Sequence, residues 1–371
     1  MMKKILIVIG NLCIGGAEKV AYDIGHYRDK KKFECHYLVF GDDIGEYEEQ
    51  LFADGCKIIH MPLPKTDYRL FLKNLNMLMQ KENYDIVHSH TMFNSGLVMS
   101  MAKKQKVPCR ISHSHSICSS KNEKLSQKIY EKVMRWIINR YSTQYAACGK
   151  DAGIWLFGKK KFEKSGILVY NGIDTEKFKY NEKSRNTIRE ELQLSDKFVI
   201  GHVGHLASVK NQQFLLKLMP KIIKINPEAR LLLLGEGEDR PKLESKIYEY
   251  GIEDYVIMTG NVMNVHEYLS AMDVFVFPSL YEGMPLSIIE VQSNGLPCII
   301  SDAVPEDVFL TDLLVKLSLQ ANESEWIDEI LKASRNTPEK YSGIMLKTGF
   351  DTQMMIDKIY DLYEKSFLKM R

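Results

Sequence analysis

Short apolar runs alternate with longer amphipathic segments along almost the whole chain. Runs such as Ile5–Ile9 have the composition of buried strands, and segments such as Asp67–Glu82 have the spacing of helices with one apolar face. Strands that alternate with helices in this way form parallel sheets covered on both faces. The pattern therefore predicts a doubly wound α/β fold.

The alternation occurs in two series, which indicates two domains. The strands predicted for the first series are Ile5–Ile9, Glu34–Phe40, Lys57–Met61, Ile86–His90, Arg110–His115, Tyr145–Cys148 and Ile167–Tyr170. Those predicted for the second are Phe198–Val203, Arg230–Leu234, Val256–Thr259, Val274–Phe277 and Cys298–Ser301. Because a turn at Asn171–Asp174 and a charged stretch at Glu176–Ser195 lie between them, we predict domains at residues 1–175 and 176–351.

A final amphipathic helix is predicted at Asp351–Phe367, able to pack on either domain. Its apolar stripe comprises Met354, Met355, Ile359, Leu362 and Tyr363. Ligands of parallel sheets bind at the carboxyl ends of the strands. We therefore expect two ligand-binding edges, facing each other across a cleft.

The stretch from Val274 to Asp302 carries the strongest chemical signal. Its pattern predicts a strand, a loop, a short helix and a second strand. Pro285 suits the first helical position, and Gly295 suits the left-handed conformation that ends a helix. Backbone amides around Met284–Leu286 would then point beyond the strand and attract an anion, above all phosphate.

Two carboxylates, Glu282 and Glu290, flank this predicted helix start. A carboxylate repels a phosphate unless the ligand also offers hydroxyl groups, and a nucleotide sugar offers both. The two carboxylates could also be the acid–base pair of a glycosidase, but they lie on one loop–helix element rather than on opposite sides of a cleft. A simpler interpretation is one carboxylate favoured by the helix dipole and one in solvent.

Further candidate residues follow other predicted strands. Lys210 lies at a predicted helix start, five residues after His205, where its charge could neutralise a diphosphate leaving group or could simply be solvated. Gly15 and Gly16 follow the first strand and would let a ligand approach the backbone closely, or would form an ordinary tight turn. No P-loop lysine follows them.

Four histidines lie at the ends of two predicted strands: His88, His90, His113 and His115. With Cys118 nearby they could form a zinc site, but structural zinc sites combine four well-spaced ligands and the chain has no CxxC pair. We expect at least one of these histidines to hydrogen-bond a substrate. The remaining alternative is a buried histidine with its hydrogen bonds satisfied inside the protein.

Charge and cysteine content narrow the classes of protein. Seven scattered cysteines without a CxxC pair favour reduced thiols in a cytoplasm, and neither a signal peptide nor a membrane-spanning run is apparent. The net charge is +2, yet residues 101–170 hold fifteen Lys and Arg against four acids, a local excess of +11. Such an excess indicates an anionic partner, either a membrane or a nucleic acid.

The segment EGMPLSIIE resembles the E-x7-E signature of retaining family-four glycosyltransferases with the GT-B fold. The segments GGAEK, DIVHSH, RISHSH, YNGID, GHVGHLASVKNQ, LLLLGEGE and NGLPCIISD occur in that family's order, so the resemblance covers essentially the whole chain. The set is similar to bacterial enzymes of exopolysaccharide and capsule assembly. The resemblance implies two Rossmann-like domains, an N-terminal acceptor-side domain to which the last helix, about residues 352–371, returns and a C-terminal domain that binds the nucleotide sugar.

The resemblance also implies roles for residues of the C-terminal domain. Glu290 would bind the ribose hydroxyls, and Lys210 would stabilise the departing diphosphate. Glu282 would hold the donor sugar and the diphosphate together with the backbone of Gly283, Met284, Pro285 and Leu286. Asn261 would take part in nucleotide binding.

In the N-terminal domain, the same resemblance implies that Gly15 and Gly16 bring the backbone up to the diphosphate. His115, or less favourably His113, would contact the donor sugar near the reacting carbon. One position departs from the family pattern, because His205 stands where many relatives have arginine. Since histidine changes charge near neutral pH, we expect His205 to gain a proton when the diphosphate binds.

The implied reaction moves a hexosyl or N-acetylhexosaminyl group from a nucleotide diphosphate, with uridine as the expected base, to a lipid-linked or oligosaccharide acceptor with retained anomeric configuration. No cofactor is expected, and no DxD triplet is present to hold a metal ion. The stretch Lys121–Arg140 mixes cations with apolar side chains, which is typical of a helix on an anionic membrane or of an ordinary helix packed on a sheet. We expect a cytoplasmic protein, peripheral on the inner face of the membrane.

Three other classes remain open on the sequence alone. A nicotinamide-dependent dehydrogenase would explain the glycine-rich turns but not Glu282, Glu290 and Lys210 together. A non-catalytic sugar- or lipid-binding relative is possible if His205 marks a degraded site. A nucleic-acid-binding protein is disfavoured, because no recognised module is present.

Overall fold

The structure is a computed structural model that describes residues 2–115, 125–335 and 338–368. Two compact units divide the chain: one runs to Gly172 and includes the last helix, and the other comprises Ile173–Asp351. Each unit contains one sheet, and all paired strands are parallel. The predicted α/β class with two doubly wound sheets is therefore confirmed.

The first sheet has the order β3-β2-β1-β4-β5-β6-β7. Its strands are β1 Lys3–Ile9, β2 Phe33–Phe40, β3 Lys57–Met61, β4 Ile86–Ser89, β5 Cys109–Ser114, β6 Gln144–Ala147 and β7 Gly166–Leu168. All of them were predicted, with ends that differ by one or two residues at most. The sequence pattern is strong here because parallel strands are buried on both faces and read as continuous apolar runs.

The second sheet has the order β10-β9-β8-β11-β12-β13. Its strands are β8 Phe198–Val203, β9 Ala229–Leu234, β10 Val256–Gly260, β11 Val274–Phe277, β12 Cys298–Ser301 and β13 Leu314–Leu317. The edge strand β13 was not predicted. Its four residues are only partly buried or exposed and include Lys316, so they lack the apolar signature of an inner strand.

Helices connect the strands in both units. Those of the first unit are α1 Gly16–His26, α2 Glu48–Ala53, α3 Tyr68–Glu82, α4 Ser95–Lys104, α5 Leu125–Tyr141, α6 Lys150–Phe157, α7 Lys159–Ser165 and the C-terminal α15 Thr352–Leu368. Those of the second are α8 Glu182–Glu191, α9 Gln212–Ile225, α10 Arg240–Tyr250, α11 Val265–Ala271, α12 Leu286–Ser293, α13 Glu323–Lys332 and α14 Glu339–Met345. Short 3-10 turns include Ser208–Lys210 after β8.

The start of α12 lies one residue later than predicted. Pro285 is the N-cap residue, with φ −75° and ψ 102°, and the helix begins at Leu286. The prediction that Pro285 is the first helical residue is therefore wrong by one position, because its backbone angle ψ is extended rather than helical. Gly295 has φ 65°, the left-handed conformation that was predicted for the end of this element.

Helix α15 packs on the face of the first sheet that carries Ile5, Ile7 and Ile9. Four of the five residues predicted for its apolar stripe are buried, but Met354 is exposed and its predicted place on the stripe is wrong. Ile356 is buried instead, since it is one turn before Tyr360 and one residue after Met355 on the inner face. The stripe is thus rotated by a fraction of a turn from the prediction.

Helix α15 offers a direct test of this rotation. Ile359 is 1% exposed and Met354 is 45% exposed on the same helix. We expect Ile359→Ala to lower the free energy of unfolding by about 2–5 kcal/mol, because it removes buried methyl groups and leaves a cavity. Met354→Ala should change it by less than about 0.5 kcal/mol. Urea denaturation followed by circular dichroism measures both, and equal losses would contradict the packing of α15.

Candidate functional site

The predicted site residues of the second unit, except Asn261, lie where the strand order of the sheet changes direction. That point lies between β8 and β11, which are neighbours in the sheet although β9 and β10 separate them in sequence. The loop after β8 carries His205 and Lys210, and the loop after β11 carries Glu282 and leads into α12. Crevices at such points are the usual ligand sites of parallel α/β sheets.

An ion pair between Lys210 and Glu282 lies at this point. Lys210 Nζ is 2.8 Å from Glu282 Oε1, with side-chain exposures of 21% and 9%. The same ammonium group is 5.0 Å from the ring centroid of Phe277, the last residue of β11. Two residues predicted independently for the diphosphate and the donor sugar are therefore in direct contact.

Hydrogen bonds between the two loops hold this pair in place. Asn211 adopts a left-handed conformation, with φ 56°, and its Nδ2 donates to the carbonyl of Pro278 at 3.0 Å. The amide of Leu280 donates to the carbonyl of Val209 at 2.8 Å. Because residues on both sides of Lys210 are tied to the loop that carries Glu282, the ion pair has a rigid base.

The start of α12 lies beyond Glu282. Among the described residues, no side chain caps this helix, and the amide of Ile288 donates to the carbonyl of Pro285 at 3.1 Å. A side chain at Gly283 would meet no protein atom within 4 Å, so the space beside that residue is open. Glu290 lies in the second turn of α12 and is partly exposed. The helix start can therefore present amide donors to an anion.

Two other predicted residues belong to the same edge of the sheet, His205 in the loop after β8 and Asn261 in the loop after β10. His205 is exposed and its Nε2 is 2.9 Å from Glu238 Oε2. Asn261 is exposed and follows β10, the outer strand of the sheet, so β9 and β8 lie between its strand and β11. Of the predicted residues of this unit, Asn261 follows the strand that is farthest in the sheet from the point between β8 and β11.

Sequence reasoning gave no role to His202, which lies beneath the site. It is fully buried in β8, and its Nδ1 is 2.9 Å from the carbonyl oxygen of Val276 in β11. Burial lowers the pKa of His202 to about 4, so the ring is neutral. Gln212 donates to the carbonyl of His205 at 2.9 Å and lies against the other ring nitrogen of His202. The strand pattern could have identified His202 as inward-facing, but not its partners.

In the first unit, the corresponding edge carries Gly15 and Gly16. Gly15 is the extended N-cap residue of α1, and a side chain there would come within 2.3 Å of Glu18 Oε2. Burial raises the pKa of Glu18, whose carboxylate folds back over this turn. Asn171, from the YNGID segment, lies with Nδ2 3.5 Å from the carbonyl oxygen of Gly16.

The four histidines of β4 and β5 form one cluster. His88 Nε2 is 3.2 Å from His113 Nδ1, and His90 Nδ1 is 2.7 Å from His115 Nε2. The hydroxyl oxygen of Tyr363, in α15, is 2.7 Å from His88 Nδ1. Ligand atoms of His88, His90 and His113 all lie within 4.8 Å of one another, so these three could hold a metal ion. Cys118, which the zinc alternative included, lies outside the described residues.

Burial keeps the four rings neutral. It lowers the pKa values of His88, His90 and His113 well below the usual range, and neighbouring histidines act in the same direction. Burial also lowers the pKa of His115 to about 4, with Asn171 acting in the opposite direction. His113 is fully buried, whereas His115 keeps some exposure at the sheet edge, so His115 is the better placed of the two for a ligand.

Helix α5 carries the described part of the basic stretch. Met134 and Ile138 face the core, while Leu125, Ile129, Val133 and Trp136 are exposed, Trp136 by 63%. Exposed Lys128 and Lys132 lie beside this apolar stripe. In the ranges that the structure describes, no helix is long and apolar enough to cross a membrane.

Comparison with known proteins identifies both units. Residues 14–177 match the model of Glycosyltransferase Family 4, and residues 184–344 match that of Glycosyl transferases group 1. The chain is 31% identical to EpsF of Bacillus subtilis (strain 168) over 98% of this chain and 97% of that protein. EpsF is named as a glycosyltransferase.

Two further relatives have more specific names. The capsular polysaccharide biosynthesis glycosyltransferase CapH of Staphylococcus aureus is 27% identical over 98% of this chain and 99% of its own length. The UDP-Gal:alpha-D-GlcNAc-diphosphoundecaprenol alpha-1,3-galactosyltransferase of Escherichia coli is 30% identical over 79% of this chain and 78% of its own length.

The fold also matches solved structures. HepE of Anabaena in complex with UDP superposes with a TM-score of 0.79 at 18% identity, covering 98% of this chain and all of HepE. With two parallel-sheet units, the fold is that of the GT-B class. The chain therefore belongs to the family 4 glycosyltransferases and is a glycosyltransferase.

Proposed function

We propose that the enzyme transfers a hexosyl or N-acetylhexosaminyl group from a UDP-sugar, with retention, to a lipid-linked or oligosaccharide acceptor in bacterial exopolysaccharide, capsule or related synthesis. The names of CapH and of the Escherichia coli galactosyltransferase, and the UDP bound to HepE, support this choice of donor, acceptor and pathway. The observation that carries the proposal is the Lys210–Glu282 pair beside the start of α12. The match to a glycosyltransferase family argues against the alternative of a nicotinamide-dependent dehydrogenase.

The ion pair suggests how a diphosphate is accepted. A donor diphosphate would take over Lys210 from Glu282, because two phosphate groups offer the ammonium more negative charge than one carboxylate. Glu282 would then accept hydrogen bonds from hydroxyl groups of the donor sugar. Amides at Gly283, Met284 and Leu286, with Pro285 as the N-cap, would complete the diphosphate site at the helix start.

Other residues bind the rest of the donor in this proposal. Glu290 accepts hydrogen bonds from the ribose hydroxyls, and Asn261 contributes to nucleotide binding. Gly15 and Gly16 bring the backbone of the first unit to the diphosphate, and His115 contacts the sugar near the reacting carbon. His115 suits this position because its ring is neutral and can hydrogen-bond a sugar hydroxyl.

The proposed chemical step is a displacement on one face of the sugar. The bond from the anomeric carbon to the diphosphate oxygen breaks, the bond to the acceptor oxygen forms on the same face, and the acceptor proton passes to the departing diphosphate. Lys210 and the α12 amides stabilise the negative charge that develops on the diphosphate. With these groups in place, we propose that the diphosphate needs no divalent cation.

Helix α5 supports a peripheral position on the inner face of an anionic membrane. Its exposed apolar stripe can enter the headgroup region, while Lys128 and Lys132 remain at the charged surface. A lipid-linked acceptor would then be present in the same surface as the enzyme.

Transfer activity should depend on the ion pair. We expect Lys210→Met to lower kcat by about 10²–10³-fold, because one charged donor to the leaving group is lost. Glu282→Ala should abolish transfer from a UDP-sugar. The matched control is another lysine–carboxylate pair of the same unit, Lys221 and Glu323, 2.6 Å apart on the surface. Lys221→Met and Glu323→Gln should retain activity.

The assay uses radiolabelled UDP-, GDP- and ADP-sugars with a polyprenyl-diphosphate sugar acceptor, and NMR of the product reports the anomeric configuration. Activity in Glu282→Ala equal to that of wild type would contradict the role of the pair. An inverted product would contradict the retaining mechanism alone.

Donor affinity should rise when His205 is replaced by arginine. A guanidinium group is always charged and can bind phosphate through two parallel hydrogen bonds, so we expect His205→Arg to bind a UDP-sugar more tightly than the wild type. Isothermal titration of the UDP-sugar measures both dissociation constants. Equal affinity of the two proteins would contradict a contact between residue 205 and the diphosphate.

Membrane binding should depend on the exposed stripe of α5. We expect Ile129→Ser with Trp136→Ser to reduce co-sedimentation with phosphatidylserine-containing vesicles at low salt, because two exposed apolar side chains are lost. Phe52→Ser is the control, since Phe52 is an exposed aromatic residue of α2 in the same unit. Equal loss in the control, or none in the double variant, would rule out α5 as the membrane contact.

A further inference from the structure

We propose that His88, His90 and His113 bind a zinc ion inside the first unit. This goes beyond the sugar-transfer site, whose diphosphate is expected to need no metal. It also reverses the preference drawn from the sequence, where the missing CxxC pair counted against zinc. The ligand set is different here, because it consists of imidazoles alone and does not require Cys118.

The three histidines come from adjacent, paired strands. His88 lies on β4, His90 directly follows that strand, and His113 lies on β5, whose Ile111 is the register partner of His88. Side chains two residues apart in a strand lie on the same face, so the three rings are brought together by the sheet itself. Ligands mounted on paired strands are more rigid than ligands on loops.

The distances suit a shared metal ion. Tetrahedral zinc bound at about 2.0–2.1 Å places two ligand nitrogens about 3.3 Å apart. His88 Nε2 and His113 Nδ1 are 3.2 Å apart, and one ligand atom from each of the three residues lies within 4.8 Å of the others. The His88–His113 spacing already fits zinc, and the His90 ring must move toward these two nitrogens wherever its distance exceeds that spacing.

In His88 and His90, the second ring nitrogen has the kind of partner that metal ligands usually have, whereas His113 Nε2 has none among the described residues. A coordinating histidine commonly hydrogen-bonds through its second nitrogen to a group that orients it. Tyr363 Oη lies 2.7 Å from His88 Nδ1, and His115 Nε2 lies 2.7 Å from His90 Nδ1. His88 Nε2 and His90 Nε2 are then directed to the metal.

Hydrogen bonds alone leave this cluster incomplete. Among the described residues, the buried atoms His90 Nε2 and His113 Nε2 have no hydrogen-bond partner. A buried polar atom without a partner costs free energy. Zinc at the cluster gives His90 Nε2 a partner, and three imidazoles without a carboxylate or thiolate suit zinc well. Three protein ligands leave a fourth position for a water molecule.

Zinc would also position His115. With the metal on His90 Nε2, the proton of His90 lies on Nδ1 and is donated to His115 Nε2. His115 must then carry its own proton on Nδ1. This consequence rests on the proposed contact between His115 and the donor sugar, whereas zinc binding itself does not.

The test is the zinc content of the full-length protein, prepared without a metal-affinity tag, loaded with zinc and desalted. We expect about one zinc per chain by mass spectrometry. Replacement by cobalt(II) should give the visible bands of a tetrahedral nitrogen-bound ion. His90→Gln and His113→Gln should lose at least about nine-tenths of the metal, because even the loss of an outer-shell partner lowers metal affinity about 10–100-fold.

His36→Gln is the matched control, because His36 is buried in the same unit but bonds to Tyr84 and Glu34 outside the cluster. It should keep its zinc. Wild-type protein without zinc, or His113→Gln with the wild-type content, would overturn the proposal. If the variants do not fold, the cobalt spectrum of the wild type decides.

The effect on His115 has a separate readout. In ¹⁵N-histidine NMR spectra of the wild type, chelation of zinc should shift the tautomer signals of His90 and His115 but not those of His36. Bound zinc together with absent sugar transfer would contradict the proposed function and leave the metal site standing. Unchanged His115 signals on chelation would overturn the positioning role.

Discussion

Parallel strand pairing is the constraint from which the rest of this molecule follows. Because neighbouring strands run in the same direction, the chain must cross back between them, usually through a helix. The carboxyl ends of all strands therefore lie at one edge of the sheet. In the second unit this brings together the loops after β8 and β11, and with them Lys210 and Glu282, which are 72 positions apart in sequence. In the first unit the same rule brings two pairs of histidines together at the carboxyl ends of β4 and β5.

The carboxyl edges of the two sheets differ in the charges that they carry. The second unit holds an ammonium group and a carboxylate, which are paired with each other and retain some exposure. The first unit buries four imidazoles, where a proton would be unfavourable, and keeps them neutral. A charged pair can exchange partners with an anionic ligand, whereas neutral rings can hydrogen-bond sugar hydroxyls or coordinate a metal.

Features that depend on local sequence patterns were predicted, whereas contacts between segments distant in sequence were not. The inner strands were predicted because burial on both faces makes them continuous apolar runs, and the edge strand β13 was missed because it lacks that burial. The candidate residues of the site were predicted from their positions after strands and from the resemblance to a family. The contact between Lys210 and Glu282 was not, because it depends on a left-handed Asn211 and on hydrogen bonds between two distant loops. The partners of the histidines could not be predicted either, because Tyr363, which contacts His88, belongs to the last helix and is distant in sequence.

In the proposed diphosphate site, the carboxylate beside Lys210 would provide selectivity. Lys210 is paired with Glu282, so an anion must displace that carboxylate before it gains the ammonium group. Inorganic phosphate would leave the released Glu282 near its own negative charge without a compensating donor. A nucleotide sugar supplies hydroxyl donors to that carboxylate in the same event, and recovers the hydrogen bonds that the exchange breaks. In this proposal, Glu282 would therefore act against simple anions and in favour of a ligand that joins a diphosphate to a sugar.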